Sequence, residues 1–211
     1  PGAEPAMVGD DARLQKMYAH VWNWIRGDNS RTLPKPDTSA AELLTTLAGD
    51  DEREAIAAAY DLAGYGAEVV PGLVETLTAE AEMTRRNAAY ALSAIGAPAV
   101  DALIDTLGHD QADTRTDAAT TLGDIAVAAT DALPALITAS RDPHEDVRKA
   151  AAEALGIIGQ SSPEVVPALI DAVGDEHAGV RTAAVFALCR LGPHAAEAVA
   201  ALEGVLDDDN R

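Results

Sequence analysis

"VRKAAAEALGIIG" (Val147–Gly159) and "VRTAAVFALCRLG" (Val180–Gly192) are nearly one phrase written twice, 33 residues apart. Anchored on its leucine, the phrase recurs at Leu62, Leu92, Leu122, Leu155 and Leu188, at intervals of 30, 30, 33 and 33 residues. Ala58, Ala88, Ala118, Ala151 and Ala184 stand four residues before the anchor, and Tyr65, Ile95, Ile125, Ile158 and Leu191 three after it. Steps of three and four put side chains on one helical stripe, so each copy predicts an amphipathic helix. The residue after the anchor is always small (Ala63, Ser93, Gly123, Gly156, Cys189), which predicts a close approach by a neighbouring helix. Gly66, Gly96, Gly159 and Gly192 stand where a left-handed glycine stops a helix. Ala126 holds that place in the third copy, so its helix is expected to fray or run on.

A second helix is predicted after each copy. Its core pairs are Leu73 with Val74, Leu103 with Ile104, Leu136 with Ile137, and Leu169 with Ile170. Leu77, Leu107, Val173 and Leu206 follow one turn later, with Ser140 in that place in the third unit. Pro71, Pro134 and Pro167 fall near its start, where a missing N–H costs little. The three residues added in the longer units lie in the turn between paired helices, as in "GQSSPEVVPAL".

Upstream, "AAELLTTLAGD" matches the second-helix pattern through Leu43, Leu44 and Leu47, and Ser39 with Glu42 predicts a capping box. Before it, "RLQKMYAHVWNWIRG" predicts an amphipathic helix with Leu14, Met17, Tyr18, Val21, Trp22 and Ile25 inward. That helix, with Trp22 and Trp24, is expected to cap the stack through a loop from Gly27 to Thr38. The expected organisation is a tail, cap and loop over residues 1–38 and a repeat array over 39–211, forming one continuous domain. A helix pair of this kind cannot bury its apolar face alone, and stacking supplies the missing partner.

The composition agrees with an all-α chain: 48% of residues are hydrophobic and 3% aromatic, and the apolar residues are chiefly helix-forming Ala and Leu. No run of about 18 apolar residues occurs, so no membrane span is expected. Fifteen basic against 35 acidic residues give a net charge of -20, which disfavours nucleic acid and anionic lipid as partners. With no basic leader ahead of an apolar core, a cytoplasmic location is the expectation, although Pro1 in place of Met leaves room for an upstream piece. The single cysteine, Cys189, excludes an internal disulfide, and its place in the small-residue column predicts a packed, inert thiol.

The phrase "DPHEDVRKAAAEALGIIGQSSPEVVPALIDAVGD" (Asp142–Asp175) resembles a HEAT repeat of the short type named after phycobilisome lyases. The resemblance implies a right-handed α-α superhelix of about five helical hairpins plus an N-terminal capping pair. It also implies a ladder of Asp and Arg, six residues apart, linking adjacent units: Asp142 with Arg148 and Asp175 with Arg181. Arg115 and Arg85 occupy the arginine column, but His109 and Ala79 replace their aspartates, and Ala55 stands in that column in the first unit. "MYAHVWNWIRG" (Met17–Gly27) resembles the tail of phytanoyl-CoA dioxygenase-like proteins, which implies an accessory region of a larger enzyme.

No Walker loop, G-x-S-x-G or dinucleotide-binding pattern appears, and no catalytic residue or cofactor is expected. His144-Glu145-Asp146 matches the H-x-D of a two-histidine, one-carboxylate iron site. The repeat explains it without metal: Asp142 suits an N-cap, Pro143 the first helical position, and Glu145 the helix dipole. His177 is the same column one unit on, and no metal site is expected.

In HEAT-like stacks the second helices are expected to line the concave face. Glu75, Asp105, Thr138 and Asp171 would then point outward beside small residues, as an acidic ridge suited to a basic or amphipathic protein segment. The expected function is a non-catalytic scaffold for protein–protein interaction. The alternatives are a phycobilin lyase-like protein that handles a chromophore, which would want aromatic or basic residues on the concave face, and the accessory region named above.

Overall fold

A computed structural model of the chain describes residues 36–192. Short and long helices alternate through them: α1 (Ala40–Leu47), α2 (Glu52–Ala63), α3 (Val70–Thr76), α4 (Glu82–Ile95), α5 (Val100–Thr106), α6 (Ala112–Ile125), α7 (Leu133–Ala139), α8 (Glu145–Ile158), α9 (Val166–Val173) and α10 (Ala178–Leu191). No strand occurs among the described residues. The expected capping helix with Trp22 and Trp24, its loop as far as Lys35, and the final helix with Leu206 lie outside them.

The phrase helices are the long ones. Their anchors Leu62, Leu92, Leu122, Leu155 and Leu188 are at most 2% exposed, and all belong to one core running from Leu43 to Leu191. Leu73, Leu103, Leu136 and Leu169 of the short helices are fully buried, whereas Val74, Ile104, Ile137 and Ile170 are only partly so. Leu43 and Leu47 of α1 join the same core, beneath the capping box of Ser39 and Glu42. The result is an all-α solenoid.

Long helices pack on one another far more extensively than short helices do. The small-residue column is the reason. A Cβ added to Gly156 would stand 2.6 Å from the Cα and Cβ of Ala187, and one added to Gly123 would stand 3.3 Å from those of Ala154. Close-packed backbones on one side and looser contact on the other bend a stack toward the close side. The long helices therefore line the inner surface.

The long helices α2, α4, α6 and α8 each pass into a 3₁₀ turn before the next short helix, and the extra residues of the longer units fall there, at Ala126–Ala132 and across Gly159–Val165. Pro71, Pro134 and Pro167 enter the first turns of α3, α7 and α9. Gly96 (φ 75°, ψ -134°) and Gly192 (φ 54°, ψ -126°) end α4 and α10. That is the mirror-β region rather than the expected left-handed helical one. Gly159 keeps a negative φ of -80°. Ala126 does not let its helix fray or run on: α6 ends at Ile125, and Ala126 is forced to φ 58°, ψ -131°, a conformation that costs a residue with a Cβ.

Helical residues follow one another from Ala112 to Ala139, 28 in all, with a stretch apolar enough by composition to cross a membrane. They do not form one rod. The turn at Ala126 and the non-helical Ala129 divide the stretch into α6, a 3₁₀ segment and α7.

Candidate functional site

The N-terminal turn of each long helix from α4 onward carries one arginine of the ladder, Arg85, Arg115, Arg148 and Arg181. Arg148 is 9% exposed, and every nitrogen of its guanidinium is engaged. Nη1 donates to the carbonyls of Asp142 and Pro143 behind it, at 3.0 and 3.2 Å. Nε and Nη2 form a fork on Asp175 of the next unit, at 2.7 and 2.9 Å, and Nη2 also lies 3.1 Å from His177 Nδ1. Arg115 repeats this, with Nη1 on the carbonyls of His109 and Asp110 and a fork at 2.8 and 2.8 Å on Asp142. Arg181 donates Nη1 to the carbonyls of Asp175 and Glu176.

Asp142 and Asp175 serve two purposes. Each takes the arginine fork and also accepts, on Oδ1 at 2.8 Å, the N–H two residues on, from His144 and His177 respectively. The helix N-cap is consequently His144, whose Nδ1 accepts from the Asp146 N–H, and not Asp142. The hydrogen bond from Arg148 leads in holding the Asp175 carboxyl below its ordinary pKa. For Asp142, burial pushes upward, but the bonds from Arg115 and the His144 N–H outweigh it, and the net shift is also down. Forked bonding in turn raises both Arg115 and Arg148.

Arg85 shows what the missing aspartate does. His109 keeps the turn, its Nδ1 accepting the Gln111 N–H at 3.2 Å, but offers the arginine no carboxylate. Arg85 holds the carbonyls of Ala79 and Glu80 and turns instead to Asp117, Nε to Oδ2 at 2.9 Å, and to Asp113 at 3.5 Å. With one bond in place of a fork, burial dominates at Asp117 and its pKa rises, only partly offset by Arg85.

Beside the ladder, α4, α6 and α8 enclose a depression of about 370 Å³ on the long-helix side. Glu82, Asp113, Asp117, Asp146 and Glu153 line it, against the two cations Arg85 and Lys149. Arg85 is bonded to Asp117 and Asp113 of the lining itself, and Lys149 lies 3.9 Å from Glu153. The groove is acidic and polar.

Glu75, Asp105, Thr138 and Asp171 are exposed, but they occupy α3, α5, α7 and α9, the short-helix layer, and none lines the groove. Asp171 is bound there to Arg141 at 2.8 Å. The residues that do line the groove follow the phrase itself, three and four apart along α6 and α8, as Asp113, Thr116, Asp117 and Thr120 and as Asp146, Lys149, Ala150 and Glu153. Cys189 is exposed rather than packed: its column faces the following long helix, and α10 is the last long helix among the described residues. His144 and Asp146 do not come together with a third ligand, and no cluster of three His, Cys, Asp or Glu suited to a metal occurs among the described residues.

The family model for HEAT repeats matches residues 40–123 and 100–189. The chain belongs to the HEAT repeat family. The model of the PBS lyase HEAT-like repeat matches residues 180–208, so this HEAT protein is of the short type. No curated protein matches the chain. Among solved structures, the Escherichia coli protein YibA superposes with a TM-score of 0.60 at 18% identity, over 99% of this chain and 73% of that one. The complex of CpcE and CpcF of phycocyanin lyase from Nostoc gives 0.54 at 24% identity, over 70% of this chain and 96% of that chain. A designed armadillo repeat protein in complex with the peptide (KR)4 gives 0.52 at 19% identity, over 82% and 94%. These likenesses establish the helical-repeat fold that this HEAT array shares with them.

Proposed function

We propose that the protein is a non-catalytic scaffold that holds a basic segment of another protein in the groove of its long helices. The observation that carries this reading is the lining of the groove, five carboxylates against two cations, which leaves three negative charges unbalanced. A charged partner gains most where its charge meets an unbalanced field in a concave, partly desolvated site. That a designed repeat stack of similar shape is known in complex with (KR)4 lends support. The bilin-handling alternative draws only on the fold shared with the phycocyanin lyase subunits.

The test is fluorescence anisotropy of a labelled (KR)4 peptide titrated with the protein. Binding should appear at low salt, weaken as salt rises, and fall at least about tenfold in the variant carrying both Asp146→Lys and Glu153→Lys. Charge reversal at Asp105 and Asp171, on the short helices, should leave it unchanged. Loss of binding only with the second pair would transfer the site to the ridge of Glu75, Asp105, Thr138 and Asp171. No binding at low salt would end the reading.

A further inference from the structure

Among the described residues, four large apolar side chains are left exposed: Met83 at 37%, Tyr90 at 39%, Val127 at 75% and Phe186 at 66%. Val127 is in a 3₁₀ turn. The other three share the face that carries the groove. Met83 stands in the repeat column of Asp113 and Asp146, and Tyr90 and Phe186 stand in the column of Thr120 and Glu153. All four of those column mates line the groove. Met83 and Tyr90 therefore flank it on α4, and Phe186 flanks it on α10.

Four of the groove's five carboxylates are placed between these ends. Asp113 and Asp117 belong to α6, and Asp146 and Glu153 to α8. The fifth, Glu82 on α4, is matched four residues on by Arg86, so the first apolar end is not acidic on balance. From α4 to α10 is three helix spacings of about 8–10 Å, or roughly 24–30 Å. An extended chain advances about 3.3–3.6 Å per residue, so about eight steps span that distance.

We propose that the groove receives an extended segment of about nine residues, apolar at each end and cationic between, with its ends seated on Met83 and Tyr90 and on Phe186. This rests on the reading of the groove as a site for a basic segment. It adds the length and the two anchors. Carboxylates draw the segment in, and the apolar ends fix its register, because only one spacing satisfies both anchors.

Three labelled peptides of nine residues test it by anisotropy: Leu at both ends with alternating Gly and Lys between, the same peptide with Ser at both ends, and one with both Leu at a single end. The first should bind about tenfold more tightly than the other two, since each seated Leu removes apolar surface from water. Tyr90→Ser and Phe186→Ser, both at exposed positions, should keep the far-ultraviolet helical signal and erase that advantage. Equal affinity for all three peptides overturns the inference and leaves the basic-segment reading standing. Failure of every peptide to bind at low salt overturns both. A concentration-dependent dimer of the protein alone, dissolved by Phe186→Ser, would give the patch to a second copy and also overturn the inference.

Discussion

Arg148 and Asp175 lock two successive units through a two-pronged bond of 2.7 and 2.9 Å, with both side chains almost out of water, at 10% and 11% exposure. The same guanidinium holds the two carbonyls behind it. Lysine supplies one compact ammonium and cannot make the fork and the caps together. Arg148→Lys should lower the free energy of unfolding by about 2–3 kcal/mol, because it strands a buried carboxylate. Arg85→Lys, whose contacts are split between Asp117 and the exposed Asp113, should cost about 1 kcal/mol. Urea unfolding followed by circular dichroism gives both values.

The two forked aspartates set the acid limb of stability. Their folded pKa values lie below the ordinary one, so they contribute stability above the unfolded pKa of about 3.9 and lose it as pH falls through the folded values. Asp142→Asn and Asp175→Asn should be less stable at pH 7 and show a flatter decline below about pH 4. Asp117 works in the opposite sense. Its raised pKa favours folding at low pH, and that contribution vanishes as pH rises through the folded value. Urea midpoints measured from pH 7 to pH 2 separate the two behaviours.

Ala126 holds a backbone conformation that Gly96 and Gly192 hold without strain. A Cβ at those two glycines would meet no atom within 4 Å, so the cost at Ala126 is in the backbone and not in crowding. Ala126→Gly should stabilise the protein by about 1 kcal/mol, the relief of strain exceeding the added chain entropy of glycine. Thermal unfolding would show it as a rise in Tm.

Gly123 and Gly156 lie inside long helices, where propensity alone says that alanine would help by about 1 kcal/mol. Packing reverses the sign at one of them. At 2.6 Å from the Ala187 backbone, the new methyl of Gly156→Ala must push α8 and α10 apart, at a cost of about 2–3 kcal/mol. At 3.3 Å, Gly123→Ala asks for a shift of a few tenths of an ångström and should be close to neutral. Paired urea titrations decide between propensity and packing.

The repeat was legible because every unit buries the same leucine, and burial leaves a periodic trace. The choice of inner layer was not. Both helices of a unit are apolar on one side and polar on the other, and the period of one helix says nothing about which layer its array closes around. That depends on how near the backbones come, which Gly123 and Gly156 decide jointly with Ala154 and Ala187 of the next long helices. An acidic ridge is legible on Glu75, Asp105, Thr138 and Asp171 of the short helices, whereas the groove opens on the phrase helices. Tyr90 and Phe186 stand two residues before their anchor leucines, a column visible in the repeat whose exposure the period alone does not reveal. Arg85 could not be placed because His109 replaces its aspartate, and Asp117 is brought near only by folding.

Every ladder arginine grips the carbonyls behind it, and where a carboxylate sits at the head of the following unit it reaches forward to that. The array thus has a direction, like a row of people each with a hand on the next shoulder. A copy of Asp142–Gly174, inserted in frame at Asp175, would offer the Arg115-type grip and accept it in return. Unequal crossing-over between such copies would lengthen the protein without redesigning any joint, and each insertion would extend the inner surface by about 10 Å.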